Sequence, residues 1–170
     1  MHIKPLSPNG ARLCDVFPDD LLQEIIDLVD TFTPTRIQTA DDAPELLTPL
    51  SGSDRHVLLL ANTELRQRIL ACFDVPKSSS IELWRDYPGY RNTIHVDFEN
   101  VHNVIIVYLD TWGHGEMGTK YYEDDAEYFV EYRKNHGIML HNSNKILHHM
   151  IGEVAHVSYR KTLYINWTNK

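Results

Sequence analysis

Cysteine is scarce in this sequence. Its two thiols, Cys14 and Cys72, stand far apart and fit neither a redox pair nor a metal-ligand spacing. They read as reduced thiols of a cytoplasmic protein, or at most as one disulfide. Basic residues are outnumbered too: 16 Lys and Arg face 24 Asp and Glu, for a formal net charge of −8 at pH 7. With no basic patch in sight, a nucleic-acid partner is not expected. No stretch approaches the roughly 18 consecutive apolar residues of a membrane span, and the opening MHIKPLSPNGARL has no apolar segment of the secretory kind. A cytoplasmic protein with no membrane partner is the expectation. Repeats and low-complexity tracts are also missing. What the sequence does have in excess is histidine, ten in 170 residues.

A chain of this length can bury one core of its own, and a single domain over residues 1–170 is expected. Residues 1–78 read as a helical support region and 79–170 as a β-rich core. Residues 1–17 are an irregular or strand-like lead-in. Asp19 and Asp20 then open a helix whose apolar positions, Leu21, Leu22, Ile25, Ile26 and Val29, recur at helical spacing and call for a flat surface to pack on. Thr31–Asp54 is a long connection with a helical turn near Ala43–Leu47, and His56–Leu60 is a short strand or a helix start. Asn62-Thr63 is placed to cap a second helix over Glu64–Phe73. Beyond it, six runs alternate or carry β-branched residues between turn residues: Ile81–Tyr87, Thr93–Phe98, Val104–Asp110, Gly137–His141, Ile146–Met150 and Tyr159–Trp167. Their close spacing favours antiparallel pairing. The segment Asp110–Gly137, with its glycines, tyrosines and the acidic cluster Asp124-Asp125-Ala126-Glu127, reads equally as a substrate lid or as scaffold, and the cluster itself as a solvated helix start or loop.

Within the run TIHVDF, His95 and Asp97 fall on one strand face and Ile94, Val96 and Phe98 on the other. A His-x-Asp pair on its own is weak. About fifty residues later comes His148-His149, at the end of another apolar run. Two imidazoles and one carboxylate make a facial ligand set that leaves three coordination positions open and suits non-haem Fe(II), whereas structural zinc fills all four of its positions. In the last run, Arg160, Thr162, Tyr164 and Asn166 share one face. A guanidinium and a hydroxyl directed into a β interior need an anion, and a carboxylate matches the arginine fork. Taken alone, Arg160 also fits a charged guard on an edge strand.

His-x-Asp, a distal His and Arg-x-Thr occur in the order found in the Fe(II)/2-oxoglutarate-dependent dioxygenases, and the sequence resembles their prolyl-hydroxylase-like branch over about residues 81–167. "YPGYRNTIHVD", "VIIVYLD" and "GIMLHNSNKILHHM" resemble successive segments of that branch. The resemblance implies a mostly β fold with flanking α, a double-stranded β-helix (jelly roll, cupin-like) with N-terminal supporting helices. It implies Fe(II) held by His95, Asp97 and His148, with His149 as the alternative distal ligand. His148 is favoured because Ile146-Leu147 and Met150 match the apolar positions around that ligand, and adjacent residues of a strand cannot face the same way. It further implies 2-oxoglutarate as cosubstrate, bound by Arg160, Thr162, Tyr108 and Tyr87, with Tyr108 beside Arg160 and Tyr87 nearer the metal.

The activity so implied uses O2 to hydroxylate a C–H bond of a small molecule, an amino acid or a peptide, releasing succinate and CO2. The carboxylate ligand argues against a halogenase. Two other readings remain: a jelly-roll module that binds a metal or ligand without turnover, and a zinc- or nickel-dependent cupin-type enzyme. Trp84 and Trp167 read as core, and His102, His114, His136, His141 and His156 as turn or surface residues.

Overall fold

In the computed structural model, residues 1–38, 54–61, 63–88, 90, 94–110, 117–151 and 159–168 are described. The amphipathic segment after Pro18 forms α1 (Asp19–Thr31), and its five periodic apolar residues are the ones it buries. Each contributes about 1.5–3 kcal/mol by leaving water. Thr63 caps α2 (Glu64–Leu70) by accepting the Arg66 N–H at 3.3 Å. The remaining elements are strands: β1 (His2–Pro5), β2 (Gly10–Cys14), β3 (Arg36–Gln38), β4 (Arg55–Leu59), β5 (Ser80–Asp86), β6 (Asn103–Tyr108), β7 (Gly118–Glu123), β8 (Ala126–Glu131), β9 (His136–His141), β10 (Leu147–Ile151) and β11 (Arg160–Trp167).

Every pairing is antiparallel. The large sheet runs β1-β2-β9-β6-β11-β5-β4-β3, and the small one β10-β7-β8. This is a double-stranded β-helix: two antiparallel sheets with the helices on one outer face. The large sheet is therefore covered on both sides. One side carries Ile81, Leu83, Ile105, Val107, Leu163 and Ile165, packed with α1 and α2. The other carries Val104, Ile106, Tyr108, Ile138 and Leu140, packed with Tyr121 and Val130 of the small sheet. Strand alternation thus assigns each residue of β5, β6 and β11 to the helix side or to the inter-sheet side.

Three expectations need correction. Residues 1–78 are more than helical support, since they supply β1–β4, half the strands of the large sheet. The alternation in Gly10–Cys14 is short, and these strands form because neighbouring strands offer an edge. The TIHVDF segment forms no regular strand over its described residues 94–98. It meets β10 only at the isolated bridge between His95 and His148, and its residues Ile94, Val96 and Phe98 are exposed. Finally, the acidic cluster is no helix start: Ala126 and Glu127 begin β8, and the solvated-loop alternative holds for the exposed pair Asp124-Asp125. Both residues have positive φ (51° and 62°), and Glu123 pairs with Ala126 across them. They form a two-residue hairpin turn of the kind whose twist matches antiparallel strands, and aspartate tolerates that backbone region better than most residues. Residues 117–137 are accordingly scaffold. The helical turn near Ala43–Leu47, and Gly113, His114, Gly115 and His156, lie outside the described residues.

Candidate metal centre and anion pocket

His95 and His148 face each other across the bridge between their backbones. The His95 N–H donates to the His148 carbonyl at 3.0 Å, and the His148 N–H to that of His95 at 2.8 Å. Bridge partners project to the same side, so the two rings lie 4.6 Å apart. Two residues on, the Asp97 N–H donates to the Ser143 carbonyl and turns its carboxylate toward both rings. Its Oδ1 is 3.9 Å from His95 Nε2 and its Oδ2 is 3.6 Å from His148 Nε2. One potential ligand atom from each residue lies within 4.8 Å of the others. The structure therefore gathers His95, Asp97 and His148.

His149 points the other way. In β10 it is aligned with Lys120 and stacks parallel to the Tyr122 ring, whereas His148 is aligned with the fully buried Tyr121 and is itself 3% exposed.

The donor chemistry of this group calls for a cation. His148 Nδ1 lies 2.8 Å from the Ile146 carbonyl. A carbonyl only accepts, so Nδ1 carries a proton and the ring turns its Nε2 toward the carboxylate. Asp97 Oδ2 is buried with no hydrogen-bond partner among the described residues. Burial works against the Asp97 charge, but His148, Ser143 and His95 outweigh it and hold the carboxyl below its ordinary value. Lone pairs converging from three acceptors, with one ring oriented from behind, fit a divalent metal.

The Asp97 charge reaches the large sheet. Burial first, and that charge next, push the Tyr164 phenol well above its usual range. Tyr164 shares its strand face with Thr162 and Arg160, so the Asp97 charge acts on the face that carries the arginine.

Arg160 is fully buried. Its Nε and Nη2 donate to one oxygen of Asp86, Oδ2, at 3.1 and 2.8 Å. Asp86 is also fully buried and takes a second guanidinium: Arg55 Nε donates to Oδ1 at 2.5 Å and Arg55 Nη2 to Oδ2 at 3.0 Å. Burial opposes the Asp86 charge, yet Arg55 and Arg160 lower its pKa. Arg55 in turn lies 3.8 Å over the Trp84 ring and 4.4 Å from that of Tyr90, and Trp84 stacks on Tyr164. Two buried polar atoms lack partners among the described residues here, Arg160 Nη1 and Thr162 Oγ1. An unpaired guanidinium nitrogen beside an unpaired hydroxyl fits a carboxylate ligand such as the distal one of 2-oxoglutarate.

Tyr108 is aligned with Thr162 across the strands, and its hydroxyl donates to Thr119 Oγ1 at 2.7 Å. It lines the Arg160 face with its proton engaged across the inter-sheet space. The structure does not bring Tyr87 to this face. Its ring packs against His56 and Tyr159, and Tyr159 donates to Asp30 of α1. The phenol beside the arginines is Tyr90, 2% exposed, carried back by a turn in which its N–H donates to the Tyr87 carbonyl. The Pro-Gly between them was the available signal, because a turn reverses which face the following residue meets. Asp86, Arg55 and Tyr90 were missed because pairing across strands β4, β5 and β11 is invisible to local patterning. Trp84 belongs to this face as well.

No protein-family model matches the sequence, and no curated protein does. Solved structures are similar in fold. A prolyl-4-hydroxylase from Pseudomonas putida superimposes with a TM-score of 0.70 at 12% identity, covering 95% of this chain and 93% of that one. A prolyl hydroxylase from Trichoplax adhaerens, in complex with a hypoxia inducible factor oxygen degradation domain peptide fragment, gives 0.71 at 8%, covering 95% and 84%. A non-haem alpha ketoglutarate dependent epimerase from nogalamycin biosynthesis gives 0.64 at 11%, covering 95% and 78%. The architecture is that of the 2-oxoglutarate/Fe(II) oxygenases, prolyl hydroxylases included.

Proposed function

We propose that this chain is a 2-oxoglutarate- and Fe(II)-dependent oxygenase that hydroxylates a C–H bond of a peptidyl, amino-acid or other small substrate. One observation carries the reading. Three metal-ligating side chains bring their ligand atoms within 4.8 Å of one another, and the Asp97 charge among them acts on Tyr164, on the sheet face that carries a buried guanidinium nitrogen with no partner among the described residues. His95, Asp97 and His148 are the residues that hold the iron. Bound there, iron supplies dioxygen activation coupled to oxidative decarboxylation of 2-oxoglutarate to succinate and CO2.

The chain's own part is placement. The Ile146 carbonyl orients the His148 ring, and the bridge to His95 sets the distance between the two imidazoles. Arg160 Nη1 and Thr162 Oγ1 receive the distal carboxylate, with Tyr108 as a wall beside them. The acidic surface favours a small molecule or a basic peptide over nucleic acid, and the peptide complex of the Trichoplax enzyme supports a peptide as one such class.

Anaerobic addition of Fe(II) and 2-oxoglutarate tests this. A weak visible charge-transfer band is expected, lost in Asp97→Ala, and admission of air with substrate should yield succinate. Absence of the band refutes the site, while a band with no succinate across amino acids, peptides and metabolites makes the protein a binder. Hydroxylation surviving in Asp97→Ala would sink the ligand assignment.

A further inference from the structure

The anion pocket holds two arginines around one carboxylate, and so keeps a positive charge that Arg160 and Asp86 alone would cancel. Asp86 is shared by two guanidiniums, and all three side chains are buried. Arg55 spans both of its oxygens, through Nε to Oδ1 and Nη2 to Oδ2, whereas Arg160 reaches Oδ2 alone. Oδ2 therefore accepts from three N–H groups, while Arg160 Nη1 has no partner among the described residues.

Counted as charges, the cluster is two plus and one minus. Without Arg55, Asp86 could turn both oxygens to Arg160 in the bidentate fork that arginine and carboxylate prefer, and the pocket would close into a neutral pair. The Trp84 and Tyr90 rings hold the Arg55 guanidinium in place from its faces.

We propose that Arg55 is a positioning residue for cosubstrate choice: by occupying Asp86 it leaves Arg160 charged and open toward the pocket, so that the site selects a 2-oxo acid with a second, distal carboxylate. This rests on the function proposed above. It assigns to a β4 residue, outside the strand that bears Arg160, the surplus charge that a dicarboxylate requires.

The test uses the full chain loaded with Mn(II) under anaerobic conditions, with binding read by calorimetry for 2-oxoglutarate and for 2-oxopentanoate, which has the same chain length but no distal carboxylate. At an interior effective dielectric, removing one nearby charge predicts a ten- to hundred-fold weaker affinity, on the order of magnitude only. Arg55→Met should lose that factor for 2-oxoglutarate and leave 2-oxopentanoate within about two-fold. The double variant Arg55→Met/Asp86→Asn restores a net single positive charge and should recover preference for the dicarboxylate. It also serves if Arg55→Met alone does not fold.

If Arg160→Met weakens 2-oxoglutarate binding but Arg55→Met does not, the role of Arg55 is overturned and the oxygenase reading stands. Equal losses for both acids in Arg55→Met, or a double variant without recovered preference, make Arg55 structural and overturn the proposal. If neither arginine variant changes 2-oxoglutarate binding, the anion pocket itself is wrong and the oxygenase reading falls with it.

Discussion

The distal histidine offers the sharpest quantitative test of the metal centre, because two adjacent candidates differ only in which way they face. His148 is buried, its Nε2 is 3.6 Å from Asp97 Oδ2, and its Nδ1 is held by the Ile146 carbonyl. Losing a group that only orients a ligand from behind typically weakens metal binding about 10- to 100-fold. Replacing the ligand itself, in His148→Ala, should reach at least the upper figure, about 100-fold or roughly 2.8 kcal/mol. The substitution also strands the Ile146 carbonyl, at a cost to the apo protein of about 1–3 kcal/mol. That is below the roughly 5–15 kcal/mol of a typical domain, so the variant should remain folded. His149→Ala removes a ring that stacks on Tyr122 on the opposite strand face, and should change affinity by less than about three-fold. The assay is competition of Co(II) or Mn(II) against a chromophoric chelator, with thermal melting as a folding control. Equal losses in the two variants, or a larger loss in His149→Ala, would refute the geometric argument.

Asp86→Asn leaves two buried guanidiniums without their counter-charge and should destabilise the protein by about 3–5 kcal/mol in urea titration; a loss below about 1 kcal/mol would show that the cluster is solvated. Because the Asp86 pKa is lowered on folding, its contribution is present above the unfolded value of 3.8 and is lost as pH falls through the lower folded value. Acid melts of the wild type should therefore steepen only below the ordinary carboxylate range. Tyr87→Phe should leave 2-oxoglutarate affinity unchanged in calorimetry. Tyr90→Leu strips a ring from Arg55 and should cost about 1 kcal/mol of stability in the same urea assay.

The parts of the site that could be read in the sequence are those governed by local periodicity. Alternation in RKTLYIN put Arg160 and Thr162 on one face, and helical spacing found the buried side of α1. His148 could be preferred over His149 for the same reason, since neighbours in a strand diverge. Tyr87 was misplaced where periodicity ends. After Asp86 the chain turns, and counting onward by twos stops being valid. Asp86 itself stood in plain view, in IELWRDY, but its meaning comes from Arg55 and Arg160, which meet it across β4 and β11 at aligned positions. Hairpin β7–β8 was obscured because aspartate, the residue that allows its tight turn, is equally common in solvated loops.

The segment bearing His95 and Asp97 is fastened to its surroundings by little. Among the described residues, three backbone hydrogen bonds, two to His148 and one to Ser143, join residues 95–97 to the rest, and the apolar side chains Ile94, Val96 and Phe98 are exposed. So few attachments leave a low threshold for local opening. Under the proposed function, an ion held from both sides would act as a rivet there, joining this margin to the small sheet. Loading the protein with metal should accordingly slow amide exchange at His95 and Asp97 far more than in the helices, whose anchorage never depended on the ion.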